Sequence, residues 1–379
     1  MKCLPASKVP KAQGVGLHDW HAEILAIRAF NRLLLEECQQ HAKEGSTSSN
    51  LIRPRADSER IGEGSSWHQQ PFALRDGITL HMYCSQTPCR VTLSWDGFLL
   101  QLTSAGGDAS MELTMAGQAD ASPWTAPEPS TAVTSPESED QLLGRGYFDQ
   151  LGIVRRKPAR GDAPLTLSKS CSDKLALKQC TSLLSSLTSL LVSPQNVYLH
   201  SLILPDAQYS AASCERAFSA QGRMKPLDGR HWPGGYSFQP FRVTTTTKPF
   251  HFSKSEALAR SKDIVASQVT AYWTCRGVDE GLIGGVLQGN KPFRIPGASH
   301  VSRRKMWSLA LDVAGLLGGS CAVISRQLSS PSYGETKAGE LLNARRKVKG
   351  DARDESLRNW TINSGDDGFA LERQPWYLA

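Results

Sequence analysis

The sequence predicts an α/β fold, a sheet with helices packed on its faces. Three observations carry this: strand-like alternation at residues 78–83, a second strand-like run at 196–204, and helical apolar periodicity before, between and after them. The first helix starts near Asp19, which is placed to cap it. It runs through Ile24, Ile27, Phe30 and Leu34 and stops at Gly45. Ile78, Leu80 and Met82 then alternate with Thr79, His81 and Tyr83, a strand that ends at the turn Thr87-Pro88-Cys89. Residues 172–192 carry Leu175, Leu183, Leu187 and Leu190 at helical spacing, and NVYLHSLIL at 196–204 is the second strand. Further helices are expected at 306–317 and 336–348.

Three stretches read as loops or insertions. Residues 45–70 are rich in Ser, Gly and charge, 120–140 combine Pro and Ser with acidic charge, and 221–236 hold four Gly and two Pro. There are 379 residues, 40% of them hydrophobic and 21% charged, enough to build a sizeable core and too ordinary for a disordered chain. The net charge of +7 permits an anionic partner without demanding one. The most apolar run, 308–324, carries Asp312 and is short for a bilayer crossing. The opening MKCLPASKVPK has no apolar run, and the nine cysteines are scattered. The expectation is therefore an intracellular protein with free thiols, in the cytoplasm, the nucleus or both.

Chemistry concentrates at His21-Ala22-Glu23, at the start of the first helix. Pro88-Cys89 follows a strand, and Ser170-Cys171-Ser172-Asp173-Lys174 opens another helix, whose N-terminus favours a thiolate. A catalytic zinc takes three His or Cys ligands and leaves one position for water. In nucleobase deaminases a glutamate that is not a ligand then shuttles the protons. On residues alone, Cys89 and Cys171 are equally well read as small buried hydrophobes. Cys84 is read as packing, and the other cysteines have no ligand-like spacing.

LHDWHAEILAIR, YCSQTPC and RRKPARGDAPLTLSKSCSDKLAL, taken together in this order, resemble the adenosine deaminase (editase) family acting on RNA. The similarity covers essentially the whole chain and is greatest to the family's fungal tRNA-specific branch. Short tRNA deaminases and cytidine deaminases carry PCxxC, whereas here Arg90, Val91 and Thr92 follow Cys89 and the third cysteine lies at Cys171, as in editases. The resemblance implies a cytidine-deaminase-like three-layer fold: a central mixed sheet flanked by helices, extended by C-terminal helices, as one domain over 1–379. It implies His21, Cys89 and Cys171 as zinc ligands and Glu23 as proton shuttle. The implied reaction is hydrolysis of adenosine to inosine beside the anticodon, in alanine tRNA. A non-catalytic RNA-binding remnant and a double-stranded-RNA deaminase are the alternatives.

The resemblance also implies an enclosed inositol hexakisphosphate, held by Arg28, Lys174, Ser186, Arg303, Tyr333, Lys337, Lys347 and Trp360. Buried phosphates need many cations around them. Arg28 lies two turns beyond His21, and Tyr333, Lys337 and Lys347 keep the family's spacing of four and then ten. Relatives acting on double-stranded RNA hold Arg and Trp where this chain has Leu177 and Lys178; His18 stands for an asparagine and Ile27 for an arginine. Arg345, Arg346 and Lys349, beside Asp351, Asp354 and Glu355, are expected to be a solvated face. Arg155, Arg156, Lys157 and Arg160 form a basic cluster that can meet RNA phosphates.

Two departures from the family remain. Met1 falls inside a family motif, so an N-terminal helix and strands are expected to be missing. The family passes straight from its cysteine into GDASMEL, which here begins only at Gly107, after the 17-residue interruption 90–106. An unspliced intron, or else a surface insertion, would account for it.

Overall fold

The computed structural model describes residues 2–45, 49–60, 68–88, 152–154, 156, 164–261, 264 and 267–371, and the backbone course of 91–95 and 98–102. The insertion at 120–140 lies outside these residues, as does Cys89.

Helix α1 (Ala22–Glu44) is the element on which the others are placed, because it is buried on two sides. Ile27, Leu34, Leu35 and Cys38 enter the main core, while Leu25 and Ala29 enter a second core with Trp20, Tyr272 and Leu282. Its N-cap is His21 and not Asp19, and it ends at Gly45, whose φ of +86° suits a residue without Cβ. After it, β1 (Ile52–Pro54) pairs antiparallel with β2 (Phe72–Leu74), so the expected loop at 45–70 contains a strand. Alternation missed β1 because it is only three residues long.

Next come β3 (Leu80–Tyr83) and an antiparallel hairpin of β4 (Val91–Trp95) and β5 (Phe98–Leu102), which falls within the 90–106 interruption. Helix α2 (Cys171–Thr181) starts with a reciprocal capping box between Ser170 and Asp173. The predicted single helix over 172–192 is broken. Ser182 takes φ +56°, and only a short α3 (Thr188–Leu191) follows. Asn31 of α1 organises the break, donating to Leu183 O at 2.9 Å and accepting from Ser185 N at 2.5 Å.

The central sheet is completed by β6 (Leu199–Pro205) and, after α4 (Ala211–Phe218) and the small hairpin of β7 (His231–Trp232) and β8 (Tyr236–Ser237), by β9 (Arg242–Thr246). Its order is β3-β6-β9, all parallel among the described residues, where a mixed sheet was expected. Leu199, Leu202 and Leu204 of the middle strand are buried, as a strand covered on both faces requires. After α5 (Lys254–Arg260), the strands β10 (Val269–Trp273), β11 (Asp279–Ile283) and β12 (Val286–Leu287) form a separate antiparallel sheet. Glu280 ties it to the next helix by accepting from Tyr272 at 2.7 Å, Ser299 at 2.6 Å and the His300 ring.

The chain then runs through α6 (Arg303–Leu317), α7 (Ala322–Leu328), α8 (Tyr333–Ala338) and α9 (Asn343–Glu355). Gly339 and the 3-10 turn Glu340–Leu342 separate α8 from α9 where one helix over 336–348 was expected. Among the described residues no helix is long and apolar enough to cross a membrane.

Asn31→Ala should test the broken segment after α2. It leaves the half-buried Ser185 N–H without its Asn31 acceptor, which costs on the order of 1 kcal/mol. Urea unfolding reads this directly, and an unchanged midpoint would mean that the segment holds its shape without Asn31.

Candidate active site

His21 is 6% exposed and takes extended backbone angles, which turn the chain into α1. Asp19 holds it twice: the Oδ1 atom accepts from His21 N at 3.0 Å and lies 2.7 Å from Nδ1. A carboxylate on one ring nitrogen fixes a histidine's orientation and raises its basicity, the usual support of a metal-binding imidazole. The other Asp19 oxygen accepts from Ser168 Oγ at 3.0 Å and from Lys174 Nζ, and Lys174 also donates to Ser168 at 2.8 Å. Residues 2–4 run beside 18–20 through the bonds Leu4 N to His18 O and Trp20 N to Lys2 O, both 3.0 Å. That pairing brings Cys3 Sγ to 3.7 Å from His21 Nδ1.

Cys3, Asp19 and His21 thus converge, with one ligand atom from each within 4.8 Å of the others, and the cluster is of a composition that can hold a metal ion. The ligand set expected from sequence was His21, Cys89 and Cys171. Cys171 is fully buried at the first position of α2, where the helix N-terminus favours a thiolate. One turn on, Lys174 meets the carboxylate that holds His21, so the two helix starts are joined by side chains. Glu23 lies in the first turn of α1, half-buried, and its charge acts on Lys2 and on the buried Cys84. Burial first, then Glu23, drives the Cys84 thiol well above its ordinary range, which keeps it a neutral packing group.

Behind these helix starts lies a cavity of about 330 Å³. Eight cationic side chains line it and, among the described residues, no carboxylate does. Arg28, Lys174, Arg303 and Lys337 are there as expected from sequence, together with Ser186, Tyr333 and Trp360. Lys347 is not. It lies on the surface, 3.1 Å from Asp351 one turn along α9. The other four cations, Lys178, Arg345, Lys349 and Arg353, were missed. Arg345 and Lys349 had been read as solvated, yet Arg345 is only 3% exposed. Arg346, by contrast, is exposed, donating to Lys337 O at 2.7 Å.

The miss has a geometric cause. The 3-10 turn at 340–342 shifts the phase between Lys337 and α9, so a spacing of ten points outward. The signal that finds the inward face is the series Arg345, Lys349, Arg353 at i, i+4 and i+8, with Lys174 and Lys178 as the matching pair on α2.

Backbone oxygens neutralise part of this charge. Lys178 donates to Leu183 O at 3.1 Å and Leu184 O at 2.7 Å, Arg345 to Thr181 O at 2.7 Å, and Arg28 to Val301 O at 3.1 Å. Arg303 reaches Asp366, which also holds His18 at 2.9 Å. Arg345 Nε and Arg353 Nε are buried without a partner. Burial, followed by repulsion among neighbouring cations, pushes the Lys178 and Lys349 ammonium groups well below their ordinary range and lowers Arg28 too. A space with this lining fits a polyanion.

Of the basic cluster, Arg155, Lys157 and Arg160 lie outside the described residues. Arg156 pairs by backbone with Lys169, and its Nε is buried.

Comparison with known proteins decides the family. The profile described as the adenosine-deaminase (editase) domain matches residues 1–364. The chain belongs to this family. This editase is 32% identical over 375 residues to a fission-yeast (Schizosaccharomyces pombe) protein named tRNA-specific adenosine deaminase 1, a match covering 97% of this chain and 82% of the relative. The protein of the same name from Saccharomyces cerevisiae is 28% identical, covering 82% of this editase and 68% of the relative. The double-stranded RNA-specific editase Adar of Drosophila melanogaster is 25% identical over 230 residues, covering 59% and 29%.

Lys169 offers a pH test of the charged region. It is 3% exposed, bonded to Leu167 O and Asn363 Oδ1 at 2.7 Å and to Thr361 O at 2.5 Å. Burial and then Lys174 and Arg353 push its pKa down to about 7. The folded form therefore gives up a proton that the unfolded chain keeps up to about pH 10. Stability should rise with pH above about 7, by at most about 1.4 kcal/mol per unit from this group. Lys169→Met should flatten the climb of melting temperature between about pH 7 and pH 9, measured by scanning fluorimetry without added polyanion. An unaltered slope would assign the pH dependence elsewhere.

Proposed function

We propose that this editase hydrolyses adenosine to inosine in a tRNA. The observation that carries the reading is the join of two helix starts: His21 at the N-cap and Glu23 on the first turn of α1, Cys171 on the first turn of α2, with Asp19 and Lys174 between them. The names of the yeast relatives support tRNA as the substrate, and adenosine beside the anticodon of alanine tRNA is the reading carried from sequence.

The donor set suits a zinc ion: His21 supported by a carboxylate and a buried cysteine at a helix N-terminus, with Cys89 as the third ligand. Bound there, zinc supplies a Lewis acid that brings the pKa of water near neutrality. Glu23 takes the first proton from the attacking water and delivers it to N1 of adenine as C6 is attacked, then moves the proton of the new C6 hydroxyl to the C6 amino group, so that the C6–N bond breaks and ammonia leaves. Asp19 keeps the His21 ring in place throughout. Ser168 and Lys174 hold Asp19 in its orientation.

The cavity supports inositol hexakisphosphate as an enclosed cofactor. Lys174 and Lys178 of α2 and Arg345, Lys349 and Arg353 of α9 line it together with Arg28, Arg303 and Lys337, and with Tyr333 and Trp360. This reading deviates from the sequence-based ligand set at Lys347, which Lys349 replaces. The basic segment at 155–160 is proposed as an RNA contact.

Glu23→Ala should remove inosine formation by about 10²- to 10⁴-fold while leaving bound zinc unchanged, since no ligand is touched. Inosine by mass spectrometry and metal by plasma emission read the two effects separately. Near-normal inosine, or loss of zinc with Glu23, would overturn the assignment. For the cavity, the denatured wild type should release one inositol hexakisphosphate per chain. Lys349→Met should reduce soluble yield and ligand content, whereas Lys347→Met should change stability little, as an exposed ion pair is worth about 0–1 kcal/mol. Equal effects at 347 and 349 would sink the geometry argued from α9.

A further inference from the structure

The strands β3, β6 and β9 are parallel, so their carboxyl ends share one edge of the sheet. In open α/β sheets, ligands bind outside that edge. Three connections leave it. The one after β3 leads through Thr87 to residue 89; the one after β6 holds Tyr209; the one after β9 holds Lys248 through Phe252. They are fastened together: Thr87 Oγ1 donates to Gln208 O, and the Tyr83 hydroxyl lies 3.5 Å from Lys248 O.

This edge exposes aromatic rings that a core would bury. Phe252 is 73% exposed, Phe250 44%, Tyr83 41% and Tyr209 38%. Phe250 and Phe252 stand edge to face with centroids 5.8 Å apart, and His251 sits 4.7 Å from Phe252. Cations are interleaved with them. The Arg260 guanidinium lies 6.0 Å from the Phe252 ring and is held by His251 O at 2.6 Å, and Lys248 is exposed beside Phe250. The connection after β6 also carries Asp206, Glu215 and Asp228, and the one after β9 Glu256 and Asp263.

We propose that this edge, with Phe250 and Phe252 at its tip, is a stacking platform for unpaired bases of the RNA substrate. The inference rests on the reading that the substrate is an RNA. Exposed rings beside cations suit single-stranded nucleic acid, since a base stacks on the ring while the neighbouring cation meets its phosphate. A protein partner fits less well, because the centre of a protein interface is depleted of charge. The platform continues from the strand that delivers the chain to Cys89, so bases flanking a target adenosine would lie along it. Unpaired bases are what such rings can hold, which gives the site a means of preferring a loop over a continuous duplex.

The test uses the full chain with a labelled tRNA anticodon stem-loop and a fully paired hairpin of equal length, by fluorescence anisotropy. Phe252→Ala and Phe250→Ala should each weaken stem-loop binding roughly 5- to 150-fold, the range expected for loss of one stacked base, and change hairpin binding far less. Phe252→Trp should retain affinity and Phe252→Leu should not. Arg260→Ala should weaken binding and flatten its salt dependence. Melting temperatures of the variants establish that they fold. Binding unchanged in Phe252→Ala, or restored by leucine, would overturn the platform. So would a ring dependence seen only in self-association by sedimentation. Inosine formation by the wild type is scored separately. Inosine without ring dependence defeats the platform alone, and ring-dependent binding without inosine defeats the deaminase reading.

Discussion

Like charges buried together are the constraint around which the rest of the molecule is arranged. Eight cations face one cavity from α1, α2, α6, α8 and α9, with no carboxylate among the described residues of its lining. Each buried, incompletely paired cation costs several kcal/mol, while a whole domain is stable by only about 5–15 kcal/mol. Carbonyls of the segment after α2 and the carboxylates of Asp366 and Asp367 offset part of that cost from outside the cavity. The remainder is what an anion would supply, and it would thereby hold five helices in register.

The same charge reaches the chemistry through Lys174. It lines the cavity and also bonds Asp19, which holds His21. A cation shared in this way makes the orientation of the histidine depend on how the cavity is filled. Ser170 and Asp173 fix the start of α2 by their capping box, and Arg223 anchors Asp173 at 2.5 Å, so Cys171 and Lys174 are delivered by one rigid turn. The deaminase site and the anion cavity are two faces of the same pair of helix starts.

How much of this was legible in the sequence depended on whether the signal was local. Helix α1, its stop at Gly45, the strand before Thr87 and the helix start at Cys171 all carry periodicity or capping chemistry within a few residues. The break at Ser182 did not show, because the leucines on either side keep helical spacing and the side chain that organises the turn, Asn31, lies about 150 residues earlier in the chain. The strand Ile52–Pro54 was hidden by its brevity and its polar surroundings. For the cavity, residue types were readable and the phase was not. Gly339 and the turn after it exchange Lys347 for Lys349, a rotation that no spacing rule carried across the break reveals. The sequence reads Asp19 as a helix cap because it precedes an apolar run. Its Oδ1 instead bonds His21 two residues on, while its partners Ser168 and Lys174 are distant in sequence and beyond any local reading.

The cavity lining runs from Ile24 to Trp360, nearly the whole length of the chain. A ribosome must therefore deliver almost every residue before the last wall can close. Until then α1 and α2 are present with their cations and without the helices that enclose them. A large anion taken up at that stage would meet the cations of α1 and α2 before the later helices pack against them. One such group would then be bound in step with synthesis, and its supply in the cell would bear on how much folded protein accumulates.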